Sequence, residues 1–291
     1  MSEPVIDLHA HTRYSDGSAS PEELVALACE RGARAVAITD HDTVAGLHEG
    51  RAAAERLGIE FVNGIEISAE YSPGTMHILG YFIDDQSPAL ASRLEELRLA
   101  RERRNPEIAE RLQLLGFDMT YEEVAQLAGN EVVGRPHFAR LMVERGYAES
   151  IRDAFDRFLA KGAAAYVEKK RLSPSDAMAL IHEAGGVAVL AHPYQLKLSL
   201  FKEVERLIGE LAALGLDGIE AVYSRHTKQE RESYTQIATR HGLLVTGGSD
   251  YHGAYKPDLD IVTGKGDLRV PYYLLKELKA RALAYAKRPE H

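Results

Sequence analysis

Seven short apolar runs rich in β-branched residues recur along the chain, at 5–9, 35–39, 60–67, 76–83, 187–191, 218–222 and 243–247, with longer helical patterns between most of them. Strand-like runs alternating with helical segments mark βα units around a parallel sheet. Seven of them predict an α/β barrel. Helix starts are written at Ser20-Pro21-Glu22-Glu23 and Ser173-Pro174-Ser175-Asp176, each with an N-cap hydroxyl, a proline at the first helical position and an acid at the third.

The alternation lapses between 87 and 170, where helical patterns follow one another at 88–104, 106–115, 121–127, 136–145 and 150–159. This stretch reads as an insertion into a barrel made of 1–86 and 171–291, and is expected to cover the active site. Its arginines at 93, 98, 101, 103 and 104 are interleaved with Glu95, Glu96, Glu102 and Glu107. Pairs such as Arg98 with Glu102 and Glu107 with Arg111 fall at i,i+4, so a solvated helix face is the expectation rather than a nucleic-acid surface.

Composition narrows the function classes. A chain of 291 residues, 45% hydrophobic and 27% charged, can bury a large core. Its 44 acidic and 35 basic residues leave a formal charge of -9, which disfavours duplex DNA as a partner. The single Cys29 excludes an internal disulfide framework and a thiolate zinc cluster. No apolar run approaches the roughly 20 residues that span a bilayer, and MSEPVIDLHAHT has no secretory pattern, so a cytoplasmic protein without a membrane partner is expected.

Chemistry gathers where the strands end. His9 and His11 close the first run, Asp40 and His41 the second, Glu66 the third and His192 the fifth, while Asp250 and His252 follow the seventh. In a parallel barrel these ends share one face, where βα loops build active sites. Asp16, in the loop after the first strand, and His77, at the start of the fourth, join them only if that loop or strand curves back. Asp7 reads as an orienting neighbour. A lone histidine beside an apolar run is ordinarily a hydrogen-bonded rim residue, and His48, His182, His241 and His291 are read that way. The convergent set is different, because unpaired buried titratable groups are strongly disfavoured unless they coordinate metal. Six imidazoles (His9, His11, His41, His77, His192, His252) and three carboxylates (Asp16, Glu66, Asp250) suffice for two or three divalent ions. Sulfur-free N and O donors suit Mn, Fe, Zn or Mg, with Mn2+ the choice here. Such ions attract phosphate and acidify water.

These residues lie in segments that resemble the PHP (polymerase and histidinol phosphatase) family of the amidohydrolase superfamily: His9-Ala10-His11-Thr12 with Ser15-Asp16-Gly17, Thr39-Asp40-His41-Asp42, Gly64-Ile65-Glu66-Ile67, Ala191-His192-Pro193 and Gly248-Ser249-Asp250-Tyr251-His252. The resemblance implies a distorted (β/α)7 barrel with a trinuclear metal centre. It further implies that His9, His11, Glu66 and Asp250 hold one metal, Glu66, His77 and His192 a second, and Asp16, His41 and His252 a third, with Glu66 bridging two.

The insertion, Gly134-Arg135-Pro136-His137 and Val222-Tyr223-Ser224-Arg225-His226 look like a subgroup of stand-alone phosphoesterases that act on nucleoside 3′,5′-bisphosphates or short oligonucleotides. The expectation that follows is a metal-dependent phosphomonoesterase that takes the 3′-phosphate from a small nucleotide, giving AMP and phosphate from adenosine 3′,5′-bisphosphate. Asp40, Glu66 and His192 are its candidate catalytic residues, and Arg135, His137, Ser224, Arg225 and His226 its candidate substrate contacts. The alternatives are a 5′ to 3′ exoribonuclease on short 5′-phosphorylated oligoribonucleotides and a non-catalytic metal-binding PHP module.

Overall fold

A computed structural model describes residues 3–129 and 133–286. The chain divides into two compact units, Met1–Ser92 with Arg171–His291, and Arg93–Lys170.

The first unit is built on an eight-stranded sheet: β1 Val5–Asp7, β2 Ala33–Ile38, β3 Glu60–Ala69, β4 Met76–Tyr81, β5 Val187–Leu190, β6 Gly218–Tyr223, β7 Leu244–Gly248 and β8 Val270–Pro271. The spatial order is β7-β6-β5-β4-β3-β2-β1-β8. The sheet curls until β1 meets β7, where the Leu8 amide donates to the Gly247 carbonyl at 3.2 Å and Ala10 pairs with Tyr251. Gly248 is required at this seam, because a Cβ there would lie 2.4 Å from the His9 backbone nitrogen. Inward side chains such as Ile6, Leu8, Ala35, Val62, Leu79 and Val189 form one core with Leu274, Leu275 and Leu278 of the helix Tyr273–Ala286.

The seven expected strands are present, and the sheet departs from the expectation in two ways. Short β8 pairs antiparallel with β1 and leaves no periodic signal. More consequentially, β4 runs antiparallel to both β3 and β5, while β1, β2 and β3, and likewise β5, β6 and β7, are parallel. The connection 70–75 is too short for a parallel crossover, which takes about a dozen residues or more. The start of β4 therefore lies at the rim where its neighbours end, and no curved strand is needed to bring His77 there.

Both marked helix starts form as read. Helices Pro21–Glu30 and Pro174–Glu183 begin at their prolines, with the Glu23 amide donating to Ser20 Oγ at 3.2 Å and the Asp176 amide to Ser173 Oγ at 3.1 Å.

The second unit is helical, with a core of Ile108, Leu112, Met119, Val124, Phe138 and Met142. The break expected between 104 and 106 does not occur, and one helix, Pro88–Leu114, runs through Pro106. Proline there removes one backbone donor. The helix is held across that point by Asn105, which donates to the Val133 carbonyl at 2.8 Å, and by buried Ile108 and Leu112 beyond it. The segment expected as one helix at 150–159 is a short turn, Ile151–Ala154, followed by a π-helical turn, Phe155–Leu159. The Arg98–Glu102 pair and the Arg111–Glu107 pair, at 2.7 Å, lie on exposed helix faces as expected.

No described helix is long and apolar enough to cross a membrane.

Candidate metal centre

At the rim formed by the ends of β1, β2, β3, β5, β6 and β7 and the start of β4, all nine expected donors converge. Glu66 lies at their middle. Its Oε1 is 2.9 Å from His77 Nδ1 and 2.9 Å from His192 Nε2, and its Oε2 is 3.0 Å from His41 Nδ1, 3.3 Å from His11 Nε2 and 3.5 Å from His9 Nε2. Asp250 Oδ1 lies 3.3 Å from His11 Nε2 and 3.4 Å from His252 Nδ1. Asp16 reaches His252 Nε2 at 3.2 Å and His41 Nε2 at 3.7 Å. Donor groups close enough to share one ion are His9, His11 and Asp250; His41, Glu66 and His77; His11, Asp16, His41 and His252; and His9, His192 and Glu220.

Local backbone explains several of these placements. His77 pairs with Ser68 across the hairpin, so it and Glu66 are diagonal neighbours on one sheet face. His192 (φ 25°) and Asp250 (φ 57°) leave their strands with positive φ, a conformation costing about 1–3 kcal/mol that survives where the surroundings over-determine it. The loop carrying Asp16 folds back onto His11 so closely that a Cβ on Gly17 would lie 2.2 Å from the His11 carbonyl oxygen. Asp40 organises that loop, accepting from the Thr12 amide at 2.7 Å, the Thr12 hydroxyl at 2.6 Å and the Ser15 hydroxyl at 2.6 Å. Asp7 is also committed to backbone, accepting from the amides of His9, Ser249 and Val262.

The donor set fits divalent cations. Two ligands each about 2.1 Å from one ion lie roughly 3.0–3.4 Å apart, close to the spacing seen here. His41 Nδ1 and Glu66 Oε2, both in the middle of the cluster, are buried and make no hydrogen bond. Buried polar atoms are nearly always satisfied, so a group of convergent exceptions points to an ion as their partner. Electrostatics agree. Burial alone would push the Glu66 carboxyl up, but His41, His77 and His9 hold it well below the ordinary carboxylate range.

One functional residue escaped the sequence reading. Glu220, fully buried on β6, accepts from His9 Nδ1 at 2.9 Å and from the His192 amide at 2.9 Å. A proton fixed on Nδ1 leaves His9 Nε2 free to face the cluster, the usual outer partner of a metal-ligating histidine. Its only sequence signal is an acid inside an otherwise apolar run.

The expected substrate contacts fare differently. Ser224 and His226 are both buried. The Ser224 hydroxyl donates to the Ser249 carbonyl at 2.7 Å. His226 Nδ1 donates to the Ala221 carbonyl at 2.9 Å, and burial lowers its pKa to about 4, so it is neutral at pH 7 and offers an anion no charge. Arg225 is half-buried in the loop after β6, held by Asp258 through two contacts of 3.1 Å. Arg135 and His137 belong to the helical unit. There Arg135 donates to the Leu159 carbonyl at 3.0 Å beside the rings of Phe155 and Tyr166, and His137 Nδ1 accepts from the Gly134 amide at 3.1 Å. Of the histidines read as bland, His182 bonds Asp217 at 2.8 Å, His48 lies on the helix Leu47–Leu57, His241 follows the helix Lys228–Arg240 at 3.8 Å from Glu205, and His291 lies outside the described residues.

Comparison with known proteins follows the same line. Residues 7–171 match the family profile of the PHP domain. A 3′,5′-nucleoside bisphosphate phosphatase of Chromobacterium violaceum is 36% identical over 96% of this chain and 98% of its own length. A 5′-3′ exoribonuclease of Haemophilus influenzae is 37% identical over 84% of this chain and 89% of its own. A solved amidohydrolase of Chromobacterium violaceum superposes with a TM-score of 0.81 at 36% identity, covering 95% of this chain and 96% of that one.

Proposed function

Because the chain belongs to the PHP domain family and is a phosphoric ester hydrolase, we propose that it removes the 3′-phosphate from nucleoside 3′,5′-bisphosphates. The observation that carries this reading is the complete set of nine donors at one barrel rim, with the cation of Arg225 in a loop of that same rim. When bound, divalent ions would supply an acidified water and neutralise phosphoryl oxygens. His9, His11, Glu66 and Asp250 would hold one, Glu66, His77 and His192 a second, and Asp16, His41 and His252 a third. Mn2+ is the first choice on donor chemistry, with Fe, Zn or Mg as substitutes.

The protein's own groups orient and select. Glu220 fixes His9, and Asp40 fixes the loop that presents Asp16. Arg225 would take the retained 5′-phosphate in exchange for Asp258, since a phosphate dianion offers a guanidinium more charge than a carboxylate does. The products of adenosine 3′,5′-bisphosphate are then AMP and inorganic phosphate. The second reading, a 5′ to 3′ exoribonuclease, is favoured by the similarity to the Haemophilus influenzae enzyme. Phosphate and nucleotide release from adenosine 3′,5′-bisphosphate and from a 5′-phosphorylated trinucleotide, each with Mn2+, compares them. Turnover of the bisphosphate at least as efficient as that of the trinucleotide is expected, and turnover of the trinucleotide alone would overturn the first reading.

A further inference from the structure

From His192 a run of aromatic rings leads away from the centre. Its imidazole stands edge-on to Tyr223, with centroids 5.4 Å apart. Tyr223 is stacked on Tyr194 at 5.7 Å and 25°. His226 packs against both, at 5.0 Å from Tyr223 and 5.8 Å from Tyr194, and on its far side Tyr234 lies 4.7 Å away, with the exposed Phe201 ring a further 5.6 Å beyond. Tyr223, His226 and Tyr234 are buried, whereas Tyr194 is 37% exposed. Tyr194 is thus the exposed ring one step from Tyr223, whose hydroxyl donates to Asp250 at 2.7 Å.

The backbone holds Tyr194 in place. It sits in the short 3-10 turn Pro193–Leu196 that leaves His192, with Pro193 and Leu196 buried on either side. The Gln195 amide donates to the His192 carbonyl at 3.0 Å, and the Gln195 carbonyl accepts from the Thr75 amide at 2.9 Å. A ring already immobilised by its neighbours loses little freedom when something lies on it. Arg225 follows Tyr223 by two residues in the loop that leaves β6. One cation, one open π face and the donor set thus adjoin.

We propose that the exposed face of Tyr194 is a stacking platform for the nucleobase of the substrate, which makes a nucleoside rather than a bare sugar phosphate the preferred class. This rests on the reading of the protein as a nucleotide phosphoesterase. Stacking is indifferent to base identity, because every base has a π face. The platform therefore predicts selection for a base without selection among bases.

The test has a kinetic and a binding arm. With Mn2+ bound, kcat/KM is measured on adenosine 3′,5′-bisphosphate and on the abasic 1,2-dideoxyribose 3,5-bisphosphate. Tyr194→Ala should lower the first by about 5- to 100-fold and leave the second within twofold. Tyr194→Phe should restore the preference, and Tyr255→Ala, which removes another exposed ring, should not disturb it. Equal losses on both substrates, or none, would overturn the platform, as would loss of the preference in Tyr255→Ala instead. The second arm is saturation-transfer NMR with AMP and no turnover. Wild type should saturate the adenine protons and Tyr194→Ala should not, and equal signals in both would also overturn it. If no bisphosphate is hydrolysed yet the adenine signal depends on Tyr194, the substrate reading fails and the platform stands.

Discussion

Glu220 on β6 and His9 just beyond β1 sit 2.9 Å apart although 211 residues separate them in sequence, and the carboxylate fixes which imidazole nitrogen faces the cluster. Its second oxygen accepts from the His192 amide, so one buried acid positions two candidate ligands. Glu220→Gln should weaken divalent metal binding by about 10- to 100-fold while the barrel stays folded. Calorimetric metal titration with far-UV circular dichroism checks this. Unchanged affinity would remove Glu220 from the centre.

Metal uptake should release protons. In the metal-free protein burial would lower His11, but Asp250 and Glu66 outweigh it and raise the imidazole to about 9. A ligand must be neutral, so ion and proton compete, and affinity should rise with pH until about 9. Titrating Mn2+ into weakly buffered protein at pH 7 should acidify the solution. No acidification would show that the donors are already deprotonated.

Arg225→Ala should erode the preference for adenosine 3′,5′-bisphosphate over 3′-AMP by about ten- to a hundredfold, because charged hydrogen bonds contribute roughly 1.5–3 kcal/mol. Hydrolysis of 3′-AMP itself should change little. Phosphorus NMR of the wild-type products identifies the phosphate removed, and 3′-AMP as the main product would reverse the assigned orientation.

Asp217 is expected to stabilise the barrel from outside the centre. It accepts from the Ala188 amide at 2.9 Å, from His182 at 2.8 Å, from Arg281 at 2.9 Å and from the Tyr285 hydroxyl. Burial would raise its carboxyl, yet the bonds from His182, Tyr285 and Ala188 lower it below the ordinary value. The unfolded chain thus binds this proton more readily than the native one. The contribution is complete above the ordinary carboxylate value near 3.8 and is lost as pH falls through the lower native value. Asp217→Ala, which removes these bonds while leaving Arg281 and His182 partly open to solvent, should cost about 1–3 kcal/mol at pH 7. Urea unfolding measures it, and a loss below 1 kcal/mol would contradict the assignment.

Strands and donors were legible for the same reason: a β-branched run ending in His, Asp or Glu is a local pattern, and barrel topology carries each ending to one rim. What stayed hidden was non-local. The direction of β4 depends on how short a connection can be, and it decides whether His77 needs a curved strand. Glu220 carries no motif, and its importance is visible only when the His9 nitrogen it faces is known. Ser224 and His226 follow a strand as substrate contacts would, and the sequence does not reveal that His226 Nδ1 donates to the Ala221 carbonyl. Pro106 misled because a proline is a punctuation mark only where burial on both sides does not hold the helix together.

The seam between β1 and β7 joins residues near position 9 to residues near position 250, and both of its edges carry donors: His9 and His11 on one, Asp250 and His252 on the other. During synthesis the complete set cannot exist until His252 has cleared the ribosome and docked. A half-made chain can offer passing ions only fragments of the centre, and any cation held by donors from both edges would cross-link β1 to β7.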